Sequence, residues 1–197
     1  MEERGHDLKK LIEELDLADD IDLSDIPDME LYMEQLLTFF DKKLGHLKRD
    51  NTDKIFTKTM INNYTKGGLL PPPQNKKYGK EHIILLILVY NLKNILSFND
   101  IGTLFAPVLK NIEQSDDDIV SLEDIYSTLV DLKRYEFADF RQTFNEKFKL
   151  ISDKTLSIQN KQEQELAQLF LTVIMLVAQA NAAKRMAEQI IDKYFKG

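Results

Sequence analysis

Thr57-Lys58-Thr59-Met60-Ile61-Asn62-Asn63-Tyr64-Thr65-Lys66-Gly67-Gly68-Leu69-Leu70-Pro71-Pro72-Pro73, continuing through Gln74-Asn75-Lys76-Lys77-Tyr78, holds the densest structural punctuation in the chain. Thr57 suits a helix N-cap. Met60, Ile61 and Tyr64 share one helical face, which turns Lys58, Thr59, Asn62, Asn63 and Lys66 outward. Gly67-Gly68 stops the helix, Leu69-Leu70 packs back, and three prolines stiffen an extended segment. Lys76-Lys77-Tyr78 then falls in a hairpin or loop. Six of the twelve Gly and Pro residues lie between Gly67 and Gly79. The rest has few breakers and is rich in Leu, Lys, Glu, Gln and Ala, so it reads as mostly helix.

Working outward, the spacing of Leu31, Tyr32, Leu36, Phe39, Phe40, Leu44 and Leu47 predicts a helix from about Asp28 to Leu47, entered through Ser24-Asp25-Ile26-Pro27. Leu8, Leu11, Ile12 and Leu15 allow a short helix before it. Downstream, Lys80–Leu96 is apolar almost all round, which predicts a central helix. Ser97-x-x-Asp100 and Ser121-x-x-Asp124 each resemble a capping box and open further helices. Phe137, Phe140, Phe144 and Phe148 continue at helical spacing. Lys161–Phe195 predicts one long helix.

Charge is unevenly spread. The whole chain carries 26 Lys+Arg against 33 Asp+Glu, net −7. Residues 42–93 carry eleven basic and three acidic side chains, net +8. The remainder carries fifteen against thirty, net −15. A clustered basic segment is the electrostatic footprint of a phosphate-backbone binder. There is no Cys, so disulfides, thiolate metal sites and Cys nucleophiles are excluded. His6, His46 and His82 have no metal-ligand spacing. No P-loop, dinucleotide fingerprint, zinc-protease or serine-hydrolase motif occurs. Asp19-Asp20 and Asp116–Asp118 sit in acidic runs of the solvated kind. The expectation is therefore no enzyme, no cofactor and no metal. No signal peptide is visible, and the longest apolar runs, of eight and thirteen residues, fall short of the roughly 20 that span a bilayer. A cytoplasmic protein without a membrane contact is expected.

The order helix, short polar-faced helix, Gly-Gly, Pro segment, Lys-Lys-Tyr, buried helix is that of a winged helix-turn-helix. Tyr64-Thr65-Lys66-Gly67-Gly68-Leu69-Leu70-Pro71, then Lys77-Tyr78 and Lys80-Glu81-His82-Ile83, resembles the start of a MerR-type regulator. Ser97-Phe98-Asn99-Asp100-Ile101 resembles that family's entry to its next helix. Ile26–Gln35 and Thr57–Tyr64 resemble, more closely, a family of uncharacterised bacterial proteins defined only as a domain of unknown function. Three features depart from the MerR pattern. About ten residues separate the two helices, where a tight turn needs three or four. Lys77 replaces the usual wing arginine, and Asn62-Asn63 occupies the place of a tyrosine and arginine pair.

In the last helix Leu169, Val173, Leu176, Ala180, Ala183, Ala187, Ile190 and Tyr194 repeat at alternating steps of 4 and 3, an a/d seam suited to a homodimer. A plain core helix is the competing explanation. The fold expected is all-α with a small wing: an acidic segment at 1–28, a MerR-like winged-helix region at 29–111 and a C-terminal helical bundle at 112–197 for dimerisation or effector sensing. The function expected is a dimeric DNA-binding transcriptional regulator, possible small-molecule effector unknown. Lys58, Thr59, Asn62, Asn63 and Lys66 would meet the groove, and Lys76 and Lys77 the phosphates of double-stranded DNA. The alternative is a helical protein–protein interaction module that keeps the winged fold without binding DNA.

Overall fold

A computed structural model describes residues 8, 10–12, 14–15, 20–113 and 121–196. In chain order it forms β1 (Leu31–Tyr32), α1 (Met33–Leu44), α2 (Lys58–Lys66), β2 (Lys77–Tyr78), α3 (Lys80–Leu92), α4 (Phe98–Glu113), α5 (Leu122–Lys154) and α6 (Lys161–Tyr194). Among the described residues the protein is mainly helical with one small sheet, in which β1 and β2 pair antiparallel, Leu31 opposite Tyr78 and Tyr32 opposite Lys77. Of the early helix, residues 8, 10–12 and 14 are helical, and residues 114–120, with the acidic loop expected there, lie outside the described residues.

The chain divides into two compact units. The larger holds residues 19–131 and 188–197. Its centre is α3, whose Ile83, Ile84, Leu85, Leu86, Ile87 and Val89 are all buried. At about 1.5–3 kcal/mol per buried aliphatic side chain, this one helix supplies much of the hydrophobic driving force. Leu36, Phe40 and Leu44, at i, i+4 and i+8, seal α1 into the same core, with Ile61 and Tyr64 of α2 and Ile101 and Phe105 of α4. Tyr126 of α5 is also buried, and its hydroxyl donates to the Ile21 carbonyl, tying the N-terminal segment to that helix. The smaller unit comprises residues 132–187 with the described residues before 19. In it Phe144 is buried, with Phe140 and Phe148 each 6.2 Å away in ring-to-ring contact.

Several expected boundaries move, and the central helix expected to reach Leu96 ends at Leu92. The helix expected from Asp28 begins only at Met33, because Leu31–Tyr32 is drawn into the ladder with β2, 46 residues later in the chain. Tyr32 then takes the N-cap position, and its N–H donates to Gln35 Oε1 at 2.9 Å. The helix ends at Leu44, followed by a 3-10 turn over Gly45–Leu47. Both Ser-x-x-Asp boxes form. Asp100 N–H donates to Ser97 Oγ at 3.1 Å, and Asp124 N–H to Ser121 Oγ at the same distance. In each the serine hydroxyl in turn donates to the aspartate.

Candidate nucleic-acid interface

Thr57 caps α2, accepting from Met60 N–H at 3.1 Å. The helix buries Ile61 and Tyr64 and exposes Lys58, Thr59, Asn62, Asn63 and Lys66. Those five positions fall within about 140° of arc at 100° per residue, so one helical face carries them all. The face is held from below by aromatic contacts: Phe56, just before the cap, sits 4.8 Å from Phe40 and 6.3 Å from Tyr64, both edge-to-face. The helix ends in a hydrogen-bonded C-cap, Gly67 N–H to Asn63 O at 2.9 Å and Leu69 N–H to Tyr64 O at 2.8 Å. A Cβ on Gly67 would lie within 2.5 Å of the Phe98 ring, and Gly68 adopts φ +74°. Both glycines are therefore required by position.

Beyond the prolines, Gln74 to Lys77 is a tight turn closed by Lys77 N–H to Gln74 O at 2.8 Å. Asn75 (φ 50°) and Lys76 (φ 64°) are both left-handed, which defines the mirror-image turn that matches the twist of a hairpin. Lysine is an expensive choice there, since a Cβ in this conformation costs roughly 1–2 kcal/mol. The turn thus holds an exposed cation at its tip. Lys77 is half-buried, with its ammonium 5.5 Å above the Tyr32 ring and 4.0 Å from Glu30. Lys58 pairs with Glu34. The helix and the wing therefore both reach the Glu30–Glu34 stretch.

His82 secures the base of the wing. It is buried at the start of α3, its Nδ1 accepts from Gly79 N–H at 3.2 Å, and its ring stands edge-to-face 5.5 Å from Tyr78. Burial lowers its pKa below the ordinary imidazole value, outweighing the Pro71 and Pro72 carbonyls and Glu81, which favour the proton. The folded state thus prefers neutral His82, and its stability should be complete above about pH 6.5 and fall as pH drops below it, where the unfolded chain takes up the proton first. Melting temperatures between pH 7 and 5 should decline in the native chain and decline less in His82→Asn; equal slopes would remove His82 as the cause.

A second basic feature lies on the connection between α1 and α2. This 13-residue segment, 45–57, is ordered by its own polar groups: Asp50 Oδ1 accepts from Thr52 N–H at 2.7 Å and Asp53 Oδ2 from Arg49 N–H at 2.9 Å. With the end of α3 it lines a cleft of about 330 Å3 that carries Lys48, Arg49, Lys54 and Lys93 against Asp53. Lys93 donates to the Ile55 carbonyl at 2.8 Å and lies 4.9 Å over the Tyr90 ring and 5.1 Å over Phe56. Burial holds its pKa below the ordinary lysine value. The cleft combines residues some 40 positions apart, and only the basic excess of segment 42–93 hinted at it.

The residues that build this geometry match a family model over 21–129, described as a domain of unknown function, DUF1836. The chain belongs to the DUF1836 family. The DUF1836 span agrees within two residues at each end with the 19–131 stretch that, with 188–197, makes up the larger unit. No curated protein and no solved structure matches the DUF1836 chain. Among the described residues no group of three or more His, Asp or Glu is arranged to hold a metal. The Phe137 and Phe140 region encloses only about 10 Å3, at the lower limit for a single water. Along α6 of this DUF1836 protein, Leu169, Leu176 and Ala187 are half-buried, whereas Val173, Ala180, Ala183, Ile190 and Tyr194 are exposed. Ile190 and Tyr194 belong to the larger unit and the other six to the smaller one.

Proposed function

We propose that this protein is a DNA-binding transcriptional regulator that uses α2 as its recognition helix and the Gln74–Lys77 turn as its wing, in the manner of a MerR-like winged helix-turn-helix. The observation that carries this reading is the sorted face of α2: Asn62 and Asn63 stand exposed between Lys58, Thr59 and Lys66, while the apolar residues of the same helix are buried. Asparagine can make a bidentate contact to adenine, and lysine can reach guanine or phosphate. Lys76, held in a costly conformation at the turn tip, and Lys77 on β2 are suited to phosphates. The net +8 of segment 42–93 supplies the attraction, and the acidic remainder limits DNA to one side. A dimer would present two such faces to a two-fold symmetric site.

Selection from random double-stranded oligonucleotides tests this directly. The native chain should enrich one motif. Asn62→Ala/Asn63→Ala should lose the motif, at about 1–3 kcal/mol per missing base contact, while retaining weak binding to any sequence. No enrichment by the native chain would sink the reading and favour a protein-interaction module on the same fold.

A further inference from the structure

The first part of α6, through Val177, is inverted for a helix in water, whereas near its end the helix buries the apolar Ile191. In that first part the buried side is polar: Gln164 Nε2 donates to the Thr155 carbonyl at 3.1 Å, Gln168 Nε2 to Thr155 Oγ1 at 3.0 Å, and Thr172 is buried one turn further on. Its outward side is apolar, with Leu166 67 %, Phe170 65 %, Val173 58 %, Ile174 50 % and Val177 50 % exposed. No charge interrupts Leu166–Ala183, and the helix is long and apolar enough to cross a membrane by length and composition. That run is longer than the thirteen-residue stretch Leu166–Ala178 suggests when read alone.

The outward face has an order that identifies what covers it. At 100° per residue, Glu163, Leu166, Phe170, Val173, Ile174, Val177, Asn181 and Lys184 occupy an arc of about 100°. These eight positions form four pairs symmetric about the point between Val173 and Ile174: Glu163 with Lys184, Leu166 with Asn181, Phe170 with Val177, and Val173 with Ile174. Only the outermost two are charged, and their signs are opposite. We propose that this face is covered by α6 of a second copy of the chain, running antiparallel across a two-fold axis between Val173 and Ile174. Phe170 then packs on Val177 of the partner subunit twice over, and each Glu163 meets a Lys184 across the axis. A parallel pair would instead set glutamate against glutamate and lysine against lysine, so charge selects the direction. A bilayer would have to take in the polar strip Gln164, Gln168 and Thr172 together with the Thr155 turn that satisfies it. This dimer does not depend on DNA binding, and it uses a face rotated away from the half-buried Leu169 and Leu176.

Because the chain has no cysteine, site-directed cross-linking reads the arrangement without background. Ile174→Cys, beside the axis, should oxidise to a covalent dimer. Glu163→Cys mixed with Lys184→Cys should cross-link, and neither alone should. In sedimentation the native chain should be a dimer. Phe170→Asp should weaken it about 100-fold with unchanged circular dichroism, the site being exposed. Glu163→Lys should weaken it about tenfold, and Glu163→Lys/Lys184→Glu should restore it. A monomeric mass at about 100 µM would overturn the proposal. So would cross-linking of Glu163→Cys alone, or a monomer that binds phosphatidylcholine vesicles through Phe170.

Discussion

Raising salt from 50 to 200 mM is expected to weaken duplex-DNA binding about a thousandfold, because neutralising about six phosphates gives log affinity a slope near −5 against log salt. The cations available are those of the α2 face and the wing, Lys58, Lys66, Lys76 and Lys77, with the 45–57 segment adding Lys48, Arg49 and Lys54. Lys48 is held by Asp41, and on the helix and wing two more have carboxylate partners, Lys58 with Glu34 and Lys77 with Glu30. Both pairs are open to solvent, where such a bridge is worth about 0–1 kcal/mol, so a phosphate can replace the carboxylate at little cost. The sign of this competition is itself a check within the same titration: Glu34→Gln should bind DNA more tightly than the native chain. Reversing Lys58, Lys76 and Lys77 to glutamate should abolish binding, since three attractive contacts become repulsive. Fluorescence anisotropy on a labelled duplex across the salt range measures all of this. A flat salt response, or charge reversal without effect, would remove DNA as the ligand; a protein partner that is still captured by the reversed chain would then support the interaction-module reading.

The α2 face was legible because everything that shapes it is local. Thr57, the Ile61–Tyr64 spacing and Gly67-Gly68 fix start, orientation and stop within a dozen residues. The Ser97 and Ser121 boxes were legible for the same reason. What was not legible depends on pairing at a distance. Leu31 and Tyr32 have helical spacing with Leu36 and Phe40, and only the presence of Tyr78 and Lys77 across the ladder makes them a strand. The cleft around Lys93 likewise needs the end of α3 to meet segment 45–57. In α6 the seam rests on apolar spacing alone, which cannot tell an inward stripe from an outward one. Gln164, Gln168 and Thr172 decide that, by taking the buried side through bonds to Thr155 and the α6 backbone.

Phe56→Ala is expected to cost about 3–5 kcal/mol, the range for truncating a buried aromatic. The residue stands where three parts of the larger unit meet. Its ring touches Phe40 of α1, Tyr64 of α2 and Tyr90 of α3, at 4.8, 6.3 and 6.1 Å, all steeply inclined. The Lys93 ammonium covers it at 5.1 Å. Removing the ring loses apolar burial and several edge-to-face contacts together, and leaves a cavity that α1 and α3 cannot close without shifting. Against a total stability of about 5–15 kcal/mol for a domain, the loss is a large share, and the melting temperature should fall by more than about 10 °C. Phe56→Leu should recover most of it, since hydrophobic swaps that keep much of the volume usually cost less than about 1.5 kcal/mol. The chain lacks Trp, so urea unfolding is best followed by circular dichroism. A loss below about 1 kcal/mol would mean that the site collapses cheaply, against the range for a packed aromatic, and that α2 is anchored through Ile61 alone. The outcome also bears on recognition. Thr57, the cap of α2, follows Phe56 directly, so slack at the ring passes to the helix that carries Asn62 and Asn63. In the Leu variant, which keeps the anchor, DNA affinity should follow stability only weakly. In the Ala variant, measured well below its melting point, base discrimination should decline before phosphate-driven binding does, because hydrogen bonds to base edges demand a fixed helix and charge attraction does not.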